Sequence, residues 1–127
     1  MPPMEKNYNV GLLIMRLGLG AVFIAHGAAK FQDLAGTIEF FNSLGFAPFF
    51  AYLVAAVELL GGLAVLTGLW VKLAGFLLAV IMAVAIIKVK WASGFFGFEL
   101  DFSLLALALG LIFTGPGTYQ LLANKNK

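Results

Sequence analysis

The chain has no cysteine and a single histidine among its 127 residues. Without thiols it holds no disulfide, thiolate nucleophile, cysteine-ligated zinc or iron–sulfur cluster of its own. One histidine is too few for a metal shell, which needs several ligands, so no metal and no intrinsic cofactor is expected. Charge is also scarce. Charged residues make up 11% of the chain, against about 25% in soluble domains. Eight Lys and Arg with six Asp and Glu cannot supply the polar shell that a small globule, with its large relative surface, requires. There is no basic run with interleaved aromatics, so nucleic acid is not an expected partner. Ser-His-Asp order, HExxH and a Gly-rich phosphate loop are all missing, so no familiar catalytic motif is legible.

What is abundant is apolar surface: 62% of the residues are hydrophobic, against about 45–50% in soluble chains. The solvent for most of this chain is therefore lipid. Four apolar segments, approximately 10–30, 49–70, 72–90 and 101–122, are separated by polar or Gly/Pro-bearing links. A membrane-spanning helix needs about 20 residues. The third segment is the shortest, and Lys72 and Lys88 extend it by snorkelling. Strands would have to close into a barrel to satisfy their edges in lipid, and four segments are too few. The predicted fold class is all-α: an integral membrane four-helix bundle in a single domain, 1–127. The first helix reads as retained, because Glu5 and Lys6 cancel and Arg16 interrupts the apolar run that a secretory signal would need.

The link between the first and second segments carries Phe31, Leu34, Ile38 and Phe41 at three- and four-residue steps. That spacing predicts a short amphipathic helix in the membrane interface, ended by Gly45 and Pro48. Gly68 to Lys72 is too short for anything but a tight hairpin. Trp91, Phe95, Phe96 and Phe98 suit the headgroup belt. Asp101 is the expected N-cap of the last helix, with Ser103 as the alternative. Pro116 should kink or stop that helix. Four crossings bring both termini to one side, with Lys6, Lys72, Lys125 and Lys127; Lys30, Lys88 and Lys90 lie on the other. This count favours cytoplasmic termini in a multi-pass protein of the cell inner (cytoplasmic) membrane.

Glycines recur seven apart as Gly11/Gly18, Gly20/Gly27, Gly61/Gly68 and Gly110/Gly117. Seven residues is nearly two helical turns, so each pair marks one face, and small residues let helices approach closely in lipid. The first, second and fourth helices are thus expected to carry the packing seams. The third, with Gly75 alone, is expected to face lipid most broadly.

Ionisable residues inside a membrane are costly and point to function. Arg16 shares a face with Gly20, Phe23, Gly27 and Lys30. Glu58 shares one with Gly61, Gly62 and Val65. An Arg16–Glu58 ion pair within the bundle is the simplest way to hold both. Such a pair serves either helix register alone or the binding of a polar ligand or proton movement. His26, one turn before Lys30, is either a satisfied interfacial side chain or a group that relays protons or hydrogen-bonds a quinone carbonyl. Lys30 is an anchor or a further member of that polar interior. Glu99 and Asp101 resemble a carboxylate pair, although capping is the simpler role. Tyr119 follows Gly115-Pro116-Gly117 at interface level.

On these residues the chain resembles the DoxX family of small four-helix membrane proteins. Arg16 to Phe31 (RLGLGAVFIAHGAAKF) is similar to that family's opening helix, Glu58 to Leu69 (ELLGGLAVLTGL) to its Glu-x-x-Gly-Gly segment, and Gly115 to Tyr119 (GPGTY) to its closing motif. The resemblance runs through nearly the whole chain, in order. It departs at the end, where Tyr119-Gln120-Leu121-Leu122 stands for the family's Tyr-Ser-Leu-Asp. Resemblance to DoxX implies association with redox complexes, including a thiosulfate:quinone oxidoreductase membrane subunit, or with membrane-protein assembly. The leading expectation is a membrane subunit linked to quinone redox chemistry, with Arg16, His26, Lys30 and Glu58 as its polar interior and quinone as its one candidate cofactor; whether it is itself an enzyme is open. The alternatives are a structural subunit of a larger membrane complex or homo-oligomer, and a small anion or lipid carrier drawing its ligand with Arg16.

Overall fold

A computed structural model describes residues 2–121. Helix α1 spans Pro3–Gln32, α2 Leu34–Ser43, α3 Pro48–Thr67, α4 Val71–Val84 and α5 Phe95–Thr114. A six-residue π-helical turn, Ala85–Lys90, and a 3-10 turn, Trp91–Ser93, continue α4. Four helical stretches are long and apolar enough to cross a membrane: Pro3–Gln32, Pro48–Thr67, Val71–Ser93 and Phe95–Thr114. Among the described residues there is no strand. The all-α membrane four-helix class is as expected, and the short helix α2 sits between the first and second crossings.

The links follow local chemistry. Pro2 and Pro3 open α1, and Pro48 opens α3, where the missing N–H of proline costs nothing. Asp33 caps α2, its Oδ1 accepting from Gly36 N at 3.2 Å. Gly68, at φ +89°, ends α3. Its N–H and that of Leu69 both donate to the Ala64 carbonyl, and the chain turns into α4 within three residues. Glycine adopts this left-handed conformation without the Cβ penalty.

Helices α1 and α3 form one antiparallel pair and α4 and α5 another. Gly20 and Gly62 meet so closely that a Cβ on Gly20 would lie 2.8 Å from the Gly62 carbonyl oxygen, and one on Gly27 would lie 2.5 Å from Leu59 N. The glycine seam predicted for the first two crossings is present there. Elsewhere the expectation is corrected. Gly11, Gly18 and Gly110 meet nothing within 4 Å, and Gly68 and Gly117 lie outside the helices at positive φ. Gly75 on α4 packs on α5 instead, where an added Cβ would lie 3.1 Å from the Ala108 carbonyl oxygen. The third crossing is the most buried of the four, 39% against 22% for the last. Val71, Ala74, Leu78, Ala79, Met82 and Ile86 give it a continuous inward stripe at three- and four-residue steps. The core is completed by Leu12, Leu19, Phe23, Val65, Leu104 and Leu111.

The last crossing also begins earlier than expected. It starts at Phe95, with Gly94 as N-cap and no side-chain cap. Trp91 stacks on Phe98 at 5.8 Å, and Phe95 meets Phe98 and Phe102 edge-on. This aromatic cluster carries the helix outward past Asp101. The N-cap role expected for Asp101 or Ser103 is therefore not taken. Asp101 is buried inside α5, and Ser103 Oγ donates back to the Glu99 carbonyl at 2.9 Å. At its other end α5 stops at Thr114, before Pro116.

Candidate functional site

Beyond Thr114 the chain runs as an extended strap along the outer ends of α1 and α3. Arg16 holds it there. Its Nε donates to the Val65 carbonyl at 2.9 Å and its Nη2 to Leu66 at 3.1 Å. Its Nη1 donates to Pro116 at 3.1 Å and to the Tyr119 carbonyl. Val65 and Leu66 lie in the last turn of α3, where carbonyls lack intrahelical partners. Asn9 Oδ1 accepts from Thr118 N at 2.8 Å, and Leu121 N donates to the Thr67 carbonyl at 2.8 Å. Arg16 is 1% exposed, and its planar fork of donors is matched by four acceptors. The left-handed Gly117, where a Cβ would lie 2.9 Å from Asn9 Oδ1, allows the strap to pass this closely.

The predicted Arg16–Glu58 ion pair does not form. Arg16 is level with Val65, and Val65 lies seven residues beyond Glu58 on α3, about 10 Å along the axis at 1.5 Å per residue. Orphan carbonyls satisfy the guanidinium where it stands. Glu58 pairs instead with Lys30, whose Nζ lies 2.6 Å from Glu58 Oε1. Helical side chains lean toward the N-terminus, so Lys30 reaches back along α1 to the level of Glu58. The polar interior expected from Arg16, His26, Lys30 and Glu58 is therefore split between two ends of the bundle.

The second end is open. A cavity of about 830 Å³ lies between the C-terminal half of α1, α2, the N-terminal half of α3 and the π turn after α4. Phe40, Phe41, Phe46, Phe50, Leu53 and Val54 form much of its wall. His26, Lys30, Glu58, Lys90 and Asp101 bring polar groups to it. His26 is half-buried, with its ring edge-on to Phe23 at 6.4 Å. Lys90 Nζ lies 3.1 Å from Asp101 Oδ1 and 3.0 Å from Oδ2, a two-oxygen clamp. The π turn, a form frequent at functional sites, ends on Lys90, and Lys88 within it lies 5.7 Å from the centre of the Phe46 ring across the cavity mouth.

The two ion pairs differ in quality. Asp101 is bonded through both oxygens. Glu58 is 1% exposed, and its Oε1 is the atom that Lys30 Nζ meets at 2.6 Å. Glu99 is exposed, outside the cavity lining, and contributes only its backbone carbonyl. Tyr119 likewise acts through its carbonyl at the Arg16 end. Lys90 escaped notice as a site residue in the sequence. Its signal was an opposite charge, Asp101, across an aromatic turn. No group of three or more His, Cys, Asp or Glu suited to a metal occurs among the described residues.

Four spanning helices, an arginine clamp at one end and an apolar cavity lined by lysine–carboxylate pairs at the other define a small polytopic membrane protein with an amphipathic cavity. The family model for DoxX matches residues 11–91, and the chain belongs to the DoxX family. It is 42% identical over 113 residues to the Bacillus subtilis protein named "Putative oxidoreductase CatD", covering 88% of this chain and 84% of that one. It is 34% identical over 128 residues to "Uncharacterized membrane protein Rv3486" of Mycobacterium tuberculosis, covering 87% and 78%. It is 29% identical over 122 residues to "Inner membrane protein YqjF" of Escherichia coli, covering 93% and 94%. No solved structure matches it.

Proposed function

We propose that this DoxX protein houses a quinone headgroup in the Lys30–Glu58 cavity, as a membrane subunit of a redox assembly. The observation that carries the reading is an aromatic-walled cavity that ends on buried, opposite charges. Its volume, about 830 Å³, lies in the range of small-molecule sites, about 300–1,000 Å³. The phenylalanine rings suit a flat apolar ring. Lys30, Lys90 and His26 are donors for carbonyl oxygens. Lys30 and Lys90 are balanced by Glu58 and Asp101, which favours a neutral headgroup over an anion. A bound quinone supplies reversible two-electron chemistry. The chain's own residues orient the ring between the phenylalanines and the Lys30, Lys90 and His26 donors. Electrons come from a partner redox protein, in keeping with the name given to CatD. The inner (cytoplasmic) membrane with cytoplasmic termini is the setting that the lysine count supports.

The anion-carrier alternative is weakened, because Arg16 is 1% exposed and carbonyls take four of its five N–H groups. The packing-subunit alternative keeps one supporting observation: Gly11 and Gly18 on α1 and Gly110 on α5 present open close-approach positions that none of the described residues fills. Purification in mild detergent followed by quinone extraction tests the leading reading. Quinone and a redox partner should copurify, and the absence of both overturns it.

A further inference from the structure

The cavity is polar where it is buried and apolar where it is open. Glu58 and Asp101, 1% and 4% exposed, lie at the buried end with their lysines. On α3 and α4 the lining side chains most open to the outside are Phe50, Leu53, Val80 and Val84, each between 42% and 46% exposed. The two helices touch nearer their shared hairpin, where a Cβ on Gly61 would lie 3.2 Å from Leu78. Beyond that contact both line the cavity. Depth adds a second constraint. The α3 crossing starts at Pro48. At 1.5 Å per residue Leu53 lies about 7.5 Å along it and Glu58 about 15 Å, half of a hydrocarbon core about 30 Å thick. The open apolar edge is therefore at the level of the acyl chains. Toward the interface, by contrast, the cavity is covered by Phe40 and Phe41 of α2 and crossed by Lys88 over Phe46.

We propose that the ligand enters and leaves sideways from the lipid, through a portal between α3 and α4 edged by Phe50, Leu53, Val80 and Val84, and that its tail stays there among the acyl chains. The site takes a ring already dissolved in the bilayer and carrying an alkyl or isoprenoid tail. It rejects a water-soluble ring with a fixed charge, because the portal has no polar group to replace the water that such a charge must shed. A tail in the portal keeps an apolar environment on both sides, side chains on one and lipid on the other. Only the ring exchanges lipid for the polar end of the cavity. The inference rests on the quinone reading of the cavity and adds which members of that class reach it, and by what route.

The test is fluorine NMR of a fluorinated decyl-benzoquinone exchanging with the full chain in lipid nanodiscs. Leu53→Trp and Val84→Trp narrow the portal from opposite edges. Each should slow both association and dissociation by about tenfold, the effect of forcing a bulky group through a narrowed space. Damage to the site itself would instead speed dissociation. Phe76→Trp, on the lipid-facing side of α4 and outside the cavity lining, should leave both rates within about twofold of native. On the native chain, a benzoquinone with a trimethylammonium group in place of the decyl tail should fail to displace the probe. Native-like rates in both portal variants, faster exchange in Lys88→Ala alone, or displacement of the probe by the charged ring overturns the lateral route and leaves the ring-binding reading standing. No saturable binding of the probe by the native chain overturns both. The portal variants lie on different helices and the displacement uses the native chain, so the outcome does not depend on one variant folding.

Discussion

At one end of the α1–α3 seam the Arg16 guanidinium is spread over four backbone carbonyls. At the other, Lys30 and Glu58 pair at 2.6 Å beside a cavity of about 830 Å³. Both ends hold charges that are 1% exposed in the residues concerned, Arg16 and Glu58. Burial of charge in a membrane protein is thus not by itself a mark of function. What separates the two ends is whether the backbone satisfies and encloses the charge, or an ion pair meets it beside open space. A satisfied one is architecture, and here it ties the strap after α5 to the end of α3. An ion pair beside open space, as at Lys30–Glu58, is the end proposed to bind a ligand.

The sharpest way to break this comparison is Arg16→Met. It strands the carbonyls of Val65, Leu66, Pro116 and Tyr119 and should lower stability on the order of 3–5 kcal/mol, read by unfolding in detergent. Ligand binding per folded molecule should be unchanged. Next is Gly27→Ala, whose Cβ would lie 2.5 Å from Leu59 N. Forcing the seam apart should cost about 1–3 kcal/mol and should also weaken ligand binding, since it moves Lys30 away from Glu58. Glu58→Gln should cost only about 1 kcal/mol of stability, because the partly exposed Lys30 can snorkel once released. Asp101→Asn should cost roughly 0.5–1 kcal/mol, because Lys90 is 39% exposed. The smallest effect is expected for Gly18→Ala. That position is open, and alanine is the better helix former by about 0.5–1 kcal/mol, so the isolated chain should be unchanged or slightly more stable by the same unfolding assay.

Much of this fold can be read from residue types. Hydropathy alone marks the four crossings, and the spacing of Leu34, Ile38 and Phe41 announces α2. Gly20, Gly27 and Gly62 reveal the closest seam, because only a missing Cβ permits that contact. Three features are not legible in this way. Backbone carbonyls have no sequence signal, so the partners of Arg16 are invisible, and an opposite charge, Glu58, stands in for them. The depth of each charge depends on the register of α1 against α3, which decides that Lys30 and not Arg16 meets Glu58. The start of α5 depends on aromatic stacking between Trp91 and Phe98, which overrides the capping signal at Asp101. The candidate site residues His26, Lys30, Glu58 and Asp101 are individually visible in the sequence, whereas their shared cavity, and the place of Lys90 in it, are not.

The contrast between the two ends comes down to one thermal-shift experiment in nanodiscs: the unfolding midpoint with and without a saturating decyl-benzoquinone or its hydroquinone, for the native chain, Lys30→Met and Arg16→Met. The native chain should be stabilised by ligand. Both variants should start from a lower ligand-free midpoint, Lys30→Met because it strands the buried Glu58 carboxylate, but Lys30→Met should lose the shift and Arg16→Met should keep it. A shift that survives in Lys30→Met, or that disappears from a folded Arg16→Met, would contradict the assignment of binding to the Lys30–Glu58 end.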